Sequence, residues 1–170
     1  DRGLCGGFNG SITRQTRNEV GRLQSEGKTV KLLMVGRKVA DALRRELGDL
    51  YIDQLEGIQG TSVSFADAGS IGETIREGFE AGDFDVCTVI YNKFVSAITQ
   101  ELTLTRLIPA DVGSGNTKNA DGASIANYEY EPEEEELLAN LLPRNIATQL
   151  YSALLESSAS ELAARMTAMD

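Results

Sequence analysis

The residues with the most chemical potential stand at the start of the chain. Gly3-Leu4-Cys5-Gly6-Gly7-Phe8-Asn9-Gly10 is a glycine-rich turn ahead of a helical pattern. Turns of this kind bring backbone N–H groups close to a pyrophosphate at a helix N-terminus. The G-x-G-x-x-G spacing is absent, however, and Gly36 and Arg37 stand where an acid would hold a ribose. The first reading is therefore a tight turn needing positive φ, and the second is a nucleotide- or dinucleotide-binding α/β enzyme using the Gly3–Gly10 turn. Gly27-Lys28-Thr29 imitates the end of a phosphate-binding loop, but Arg22 occupies the position of the earlier glycine. The segment also precedes a strand pattern rather than following one. Asn9-Gly10-Ser11 fits a glycosylation acceptor, which matters only in a secreted chain. The acidic run Glu129, Glu131 and Glu133 to Glu136 has the carboxylates of a metal site. Successive residues at a helix start point in different directions, though, and the helix dipole already accounts for them.

Two cysteines, Cys5 and Cys87, lie far apart, and there is no histidine. Zinc sites of the usual Cys/His type are excluded by count, as is the commonest general base. The cysteines read as small, reduced apolar residues, with a disulfide or redox pair the sharper alternative. No Ser/His/Asp, Cys/His or paired-carboxylate constellation survives. The expectation is a chain with no catalytic residues, no cofactor and no metal.

The elements that would position these residues alternate. Ser11 to Ser25 predicts a helix with Ile12, Thr16, Val20 and Leu23 on one face and Gly27 as its stop. Val30 to Val35 is a continuous apolar run, which predicts a strand buried on both faces. Arg37 to Leu47 is a helix lined by Val39, Ala40, Leu43 and Leu47. Tyr51 to Phe65 is ambiguous, with a short strand at Val63 and Phe65 suggested by alternation with serines. Asp67 to Ala81 is a helix ended by Gly82, and Val86 to Tyr91 a second buried strand. From Phe94 to Ile108 apolar and polar residues alternate, the pattern of a half-exposed antiparallel strand. Residues 111–127 are rich in Gly, Ser, Asn and Asp and predict a loop, with a returning strand from Ile125 to Tyr130. Pro132 opens a helix, and Pro143 is expected to kink or break it. Beyond it, Ile146, Leu150, Leu154, Leu162, Met166 and Met169 form an apolar stripe whose spacing suits a partner helix. Strands alternating with helices imply an α/β fold of doubly wound type.

The chain has 170 residues, 41 % hydrophobic, and a net charge of −10. That length predicts one domain. The acidity argues against nucleic acid, whose phosphates need clustered Lys and Arg. No apolar run reaches the roughly 18–20 residues of a membrane-crossing helix, and no signal peptide is visible. The chain opens in a turn and closes inside a helical pattern, which predicts a piece of a longer protein.

Four motifs carry a resemblance. Asp1-Arg2-Gly3-Leu4-Cys5-Gly6-Gly7-Phe8-Asn9 resembles a specific motif of the bacterial γ subunit of F-type ATP synthases. Tyr91-Asn92-Lys93-Phe94, Tyr128-Glu129-Tyr130-Glu131-Pro132 and Ser160 to Met169 follow in the family's order. The resemblance implies a Rossmann-like domain over residues 1–145, with a mainly parallel sheet flanked by helices and an antiparallel extension. It implies that residues 146–170 begin a long C-terminal coiled-coil helix, the shaft. The function implied is that of a non-catalytic rotor, coupling proton-driven rotation of the c-ring to ATP synthesis or hydrolysis on the β subunits. The partners implied are the α and β subunits of the α3β3 ring, ε and the c-ring, at the cytoplasmic face of the bacterial inner membrane. By matching positions, Tyr128 and Glu131 are expected at the c-ring and ε. Asp1, Arg2, Cys5, Glu161 and Arg165 are expected to face the stator β subunits. Pro143 departs from the family's pattern, and no insertion carrying a regulatory dithiol is present.

Overall fold

The computed structural model describes residues 3–58, 63–110 and 134–169, with side chains from 141 onward in the last stretch. The elements are α1 (Phe8–Ser25), β1 (Leu32–Val35), α2 (Arg37–Leu47), a 3-10 turn (Gly48–Leu50), β2 (Tyr51–Leu55), α3 (Phe65–Glu80), β3 (Cys87–Phe94), β4 (Gln100–Ile108) and α4 (Glu134–Met169).

β1 pairs with β2 in parallel across the α2 crossover. The run Leu32-Leu33-Met34-Val35 feeds both faces of this sheet. Leu32 and Met34 pack with Ala40 and Leu43 of α2. Leu33 and Val35 face the main core of Ala68, Ile71 and Ile75 from α3, Leu107 and Ile108 from β4, and Leu150 and Leu154 from α4. That period-two division makes a doubly wound α/β layer, and it is why the strand reads as uninterrupted apolar sequence. Leu43 and Ala40 are fully buried. Burying a leucine side chain stabilises the fold by about 1.5–3 kcal/mol.

β3 pairs antiparallel with β4 over a longer ladder, from Cys87 opposite Ile108 to Phe94 opposite Gln100. Residues 95–99 close the hairpin, with Val95 N and Ser96 N both donating to Thr99 O. Cys87 and Val89 pack on the main core together with Leu33, Val35 and Leu55, so both sheets serve one interior.

The helix boundaries follow local signals. α1 and α3 each end in a glycine with φ of 74°, Gly27 and Gly82. Lys28 N donates to Leu23 O and Asp83 N to Gly78 O, the pairing that satisfies the last carbonyls of a helix. α3 begins at a capping box: Ser64 Oγ accepts from Asp67 N while the Asp67 carboxylate accepts from Ser64 N. Phe65 therefore belongs to α3. The expected strand at Val63 and Phe65 is corrected to β2 at Tyr51–Leu55.

The expected break at Pro143 is also corrected. α4 runs unbroken through it for 36 residues. Proline removes one N–H and crowds the carbonyl four residues before. Residues 141–145 are all exposed, so the helix beside the proline carries no core packing for a local distortion to disturb, and the lost bond is tolerated. Burial begins at Ile146 and Ala147, where α4 meets α3. Gly72 of α3 makes that approach close: a Cβ there would lie 3.7 Å from Ile146 Cγ2 and Leu150 Cδ1. The boundary expected after residue 145 thus falls within one continuous helix. The predicted returning strand from Ile125 to Tyr130 lies outside the described residues.

The C-terminal stripe divides in two. Leu150 and Leu154 enter the core, whereas Leu155, Leu162, Met166 and Met169 are exposed. Half-buried Ala159 lies between them, so residues 155, 159, 162, 166 and 169 step by four and three, the spacing of a coiled-coil seam.

Candidate functional site

Three chain segments distant in sequence meet at one place: the glycine-rich turn with the start of α1, the β3–β4 hairpin, and the last turns of α4. They enclose a cleft of about 390 Å³ lined by residues including Cys5, Gly6, Phe8, Asn92, Gln100 and Ala168.

Asn92 is the centre of the junction. It sits near the end of β3, is 3 % exposed, and interrupts a strand that is otherwise apolar or outward-facing. Its Nδ2 donates to Phe8 O at 3.3 Å. Its Oδ1 lies 3.4 Å from Ser11 Oγ, whose single proton is shared with the nearer Phe8 O at 2.8 Å. Its backbone carbonyl accepts from the fully buried Ser160 Oγ of α4 at 3.0 Å. One residue therefore touches α1, β3 and α4, and a buried amide placed so is satisfied on both its ends.

Two further hydrogen bonds tie α4 to the hairpin. Glu156 Oε2 accepts from Phe94 N at 2.7 Å. Thr167 Oγ1 shares its one proton between Ala97 O at 3.2 Å and Ala163 O at 3.1 Å. Residues 156, 160 and 167 share one helix face, at spacings of four and seven. Hydrophobic contact is non-directional, whereas these bonds fix one rotational setting of the helix.

The glycine-rich turn approaches the end of α4 at Gly6 and packs Cys5 and Phe8 inward. Cys5 is buried; its Sγ accepts from Asn9 Nδ2 at 3.1 Å, and its carbonyl accepts from Phe8 N. A Cβ on Gly6 would lie 3.8 Å from Ala168 Cβ. Among the described residues lining the cleft there is no Lys or Arg to neutralise a phosphate. The nucleotide-binding reading of the turn is set aside on these grounds.

Of the residues expected to face a stator, Asp1 and Arg2 lie outside the described residues, as do Tyr128 and Glu131. Glu161 and Arg165 lie one turn apart on α4, and Cys5 lines the cleft beside Ala164, Thr167 and Ala168 of the same helix. Glu161 is 5 % exposed and pairs with Arg165 one turn on. Burial leaves Cys5 and Glu161 little surface for a partner, so Arg165, with 22 % of its side chain exposed, is the one of the three able to reach outward. Neither Cys5 nor Cys87 is in a disulfide. Burial pushes the Cys87 thiol up to about 11, so it is an un-ionised core residue at neutral pH. The acidic run's side chains lie outside the described residues. Among the described residues no helix is long and apolar enough to cross a membrane.

Asn92 and Ser160 were present in the motifs that carry the resemblance, but no spacing rule assigns them a role. The available signal was a lone amide inside an apolar strand.

The architecture is an α/β base with a helix fixed to it at one angle and left with a free apolar seam. A sequence profile of the ATP synthase family matches residues 1–170, and the chain belongs to that family. Its curated relatives are gamma chains. It is 51 % identical over 170 residues to the "ATP synthase gamma chain" of Paramagnetospirillum magneticum, covering all of this chain and 58 % of the relative. It is 49 % identical over 174 residues to that of Rhodospirillum rubrum, again covering 58 % of the relative. The chain thus spans under two thirds of the length of these relatives. Among solved structures, the central stalk and c-ring of Tetrahymena thermophila mitochondrial ATP synthase superposes with a TM-score of 0.74 at 34 % identity, over 99 % of this chain and 70 % of the other. A Euglena gracilis mitochondrial ATP synthase rotor chain shares the fold, with a TM-score of 0.63 at 21 % identity over 99 % of this chain and 62 % of the other.

Proposed function

We propose that this chain is the base of the central-stalk rotor of an ATP synthase, coupling proton-driven rotation of the c-ring to ATP synthesis or hydrolysis on the β subunits. The observation that carries the reading is the division of α4. Its middle, from Ile146 to Leu154, packs into the α/β domain, and beyond it Leu155, Leu162, Met166 and Met169 present an exposed apolar seam. A helix built this way transmits twist from a packed base to a partner helix in an axle. A well-packed domain resists deformation, and a folded base offers the area that a non-slipping contact needs.

The chain performs no bond chemistry in this role. Energy reaches the β subunits because each face of an asymmetric axle fits a different β conformation. The partners are the α and β subunits, ε and the c-ring, with the chain peripheral on the cytoplasmic face of the bacterial inner membrane. Tyr128 and Glu131 meet the c-ring and ε. Asp1, Arg2, Cys5, Glu161 and Arg165 form the neck that passes the stator, with Arg165 as its outward-reaching member.

The test is reconstitution. The full-length protein carrying this chain is added to membranes depleted of the corresponding subunit. Restored proton-driven ATP synthesis together with co-purification of α, β and ε supports the reading, and failure of both overturns it. Glu131→Lys lowers proton-driven synthesis while sparing ATP hydrolysis by the soluble catalytic complex; unchanged synthesis removes Glu131 from the c-ring contact.

A further inference from the structure

We propose that the β3–β4 hairpin is the clasp that sets the rotational angle of α4 on its base, with Asn92, Ser160, Glu156 and Thr167 as positioning residues. The inference rests on the rotor reading and adds to it the residues through which twist passes.

The main-core contacts of α4 end near Leu154, and beyond that point the helix must be held by something else. What holds it is the hairpin. Phe94 N, the Asn92 carbonyl and the Ala97 carbonyl present one donor and two acceptors to Glu156, Ser160 and Thr167. Between these anchors Ala163 is buried and Ala164 half-buried, small side chains that key the helix weakly, while the buried Glu161 pairs along the helix with Arg165. A smooth, small-residue contact resists rotation weakly, because turning the helix changes little buried area. Directional bonds supply the resistance instead.

Asn92 makes the clasp rigid in a second direction. Its side chain holds Phe8 O and Ser11 Oγ at the start of α1, 84 and 81 residues away in sequence. The hairpin is thereby braced against α1 while it grips α4. Buried amide and hydroxyl groups left without partners are costly, so the whole node has one low-energy arrangement rather than a range of them. The exposed seam at Leu155, Leu162, Met166 and Met169 faces away from this row and keeps its own partner surface.

The experiment measures twist in the assembled complex of the full-length protein, with the α3β3 ring fixed to a surface and stalled. A bead is attached to the base through Arg45→Cys, an exposed position on α2 far from the hairpin. The angular variance of the bead reports the stiffness between base and axle. Asn92→Ala and Ser160→Ala are expected to raise that variance at least 1.5-fold. Thr167→Val, isosteric and on an exposed residue, keeps the test open if a buried variant fails to assemble, and is expected to raise it by a smaller factor in the same direction. Leu43→Ala, in the separate α2 cluster, controls for general loss of stability. Unchanged variance in all three clasp variants, or an equal rise in Leu43→Ala, overturns the proposal. If the unsubstituted complex neither assembles nor turns with ATP, the rotor reading fails instead, so the two failures are told apart.

Discussion

Leu150 and Leu162 are both leucines of α4, three turns and a little more apart, and the structure assigns them opposite duties. Leu150 is 5 % exposed in the main core, among Ile71, Ile75 and Leu107, whereas Leu162 is 58 % exposed. Truncating Leu150 to alanine removes about three buried carbons. At about 0.8 kcal/mol each the transfer loss is roughly 2.4 kcal/mol, and the cavity left beside Gly72 brings the total to about 3 kcal/mol. For a chain of this size that lowers Tm by roughly 6–12 °C. Truncating Leu162 in the isolated chain removes little buried area and costs less than about 0.5 kcal/mol. In the assembled complex the order changes, because the seam is then covered and Leu162→Ala loses packing against the partner helix. The assay is thermal unfolding by circular dichroism of the isolated chain, followed by sedimentation of the reconstituted complex. Equal loss of Tm for the two variants in the isolated chain would refute the division of the stripe. So would an assembly that tolerates Leu162→Ala as well as it tolerates a surface substitution.

Gly72→Ala is expected to be neutral or to stabilise by up to about 1 kcal/mol, since the new methyl meets α4 at ordinary contact and glycine is a poor helix residue. Gly72→Leu overfills the same contact and costs about 1–3 kcal/mol; chemical denaturation of the two variants checks the sign reversal. Cys87, half-buried against the main core with its thiol pushed up to about 11, is expected to react with thiol reagents at pH 8 more slowly in the folded chain than in denaturant, as mass spectrometry of the alkylated chain would read; equal labelling rates in the two states contradict the packing. Tyr51 donates its hydroxyl to Ala40 O at 2.7 Å, and burial raises its pKa. A raised value means its contribution is complete below the ordinary tyrosine range and is lost as pH rises through the folded value. Tyr51→Phe is therefore expected to be slightly less stable than the parent at pH 7, by about 0.5 kcal/mol because Ala40 keeps its helical bond, with the gap closing above about pH 10. A pH-independent gap in urea titrations would contradict that linkage.

Much of this fold is legible in the residues. α2 falls at Arg37–Leu47 as its apolar spacing indicates, and Gly27 and Gly82 end their helices where positive φ was expected. The continuous run ending at Val35 reads as a two-faced strand because it is one, fed by α2 on one side and α3 with α4 on the other. The start of α3 was hidden by alternation at Val63 and Phe65, although Ser64 and Asp67 carry the capping spacing that outranks it. Pro143 reads as a break because proline's cost is local, while the tolerance of α4 comes from exposure before it and packing after it, which a sequence does not state. The divided stripe was unreadable for the same reason. Helical period places Leu154 and Leu162 on nearby faces, and only tertiary contact decides that the first is core and the second is seam. The site was the least legible part, because Asn92 and Ser160 act across 68 residues of sequence through a backbone carbonyl.

The most direct test of the account is to watch the base turn. With the α3β3 ring immobilised and a bead on Arg45→Cys of the full-length protein, added ATP should drive sustained rotation in one direction, and rotation should stop when ATP is exhausted. A bead that stays still, or one that only jitters without net direction, while the same complexes hydrolyse ATP, would contradict the claim that this chain carries twist.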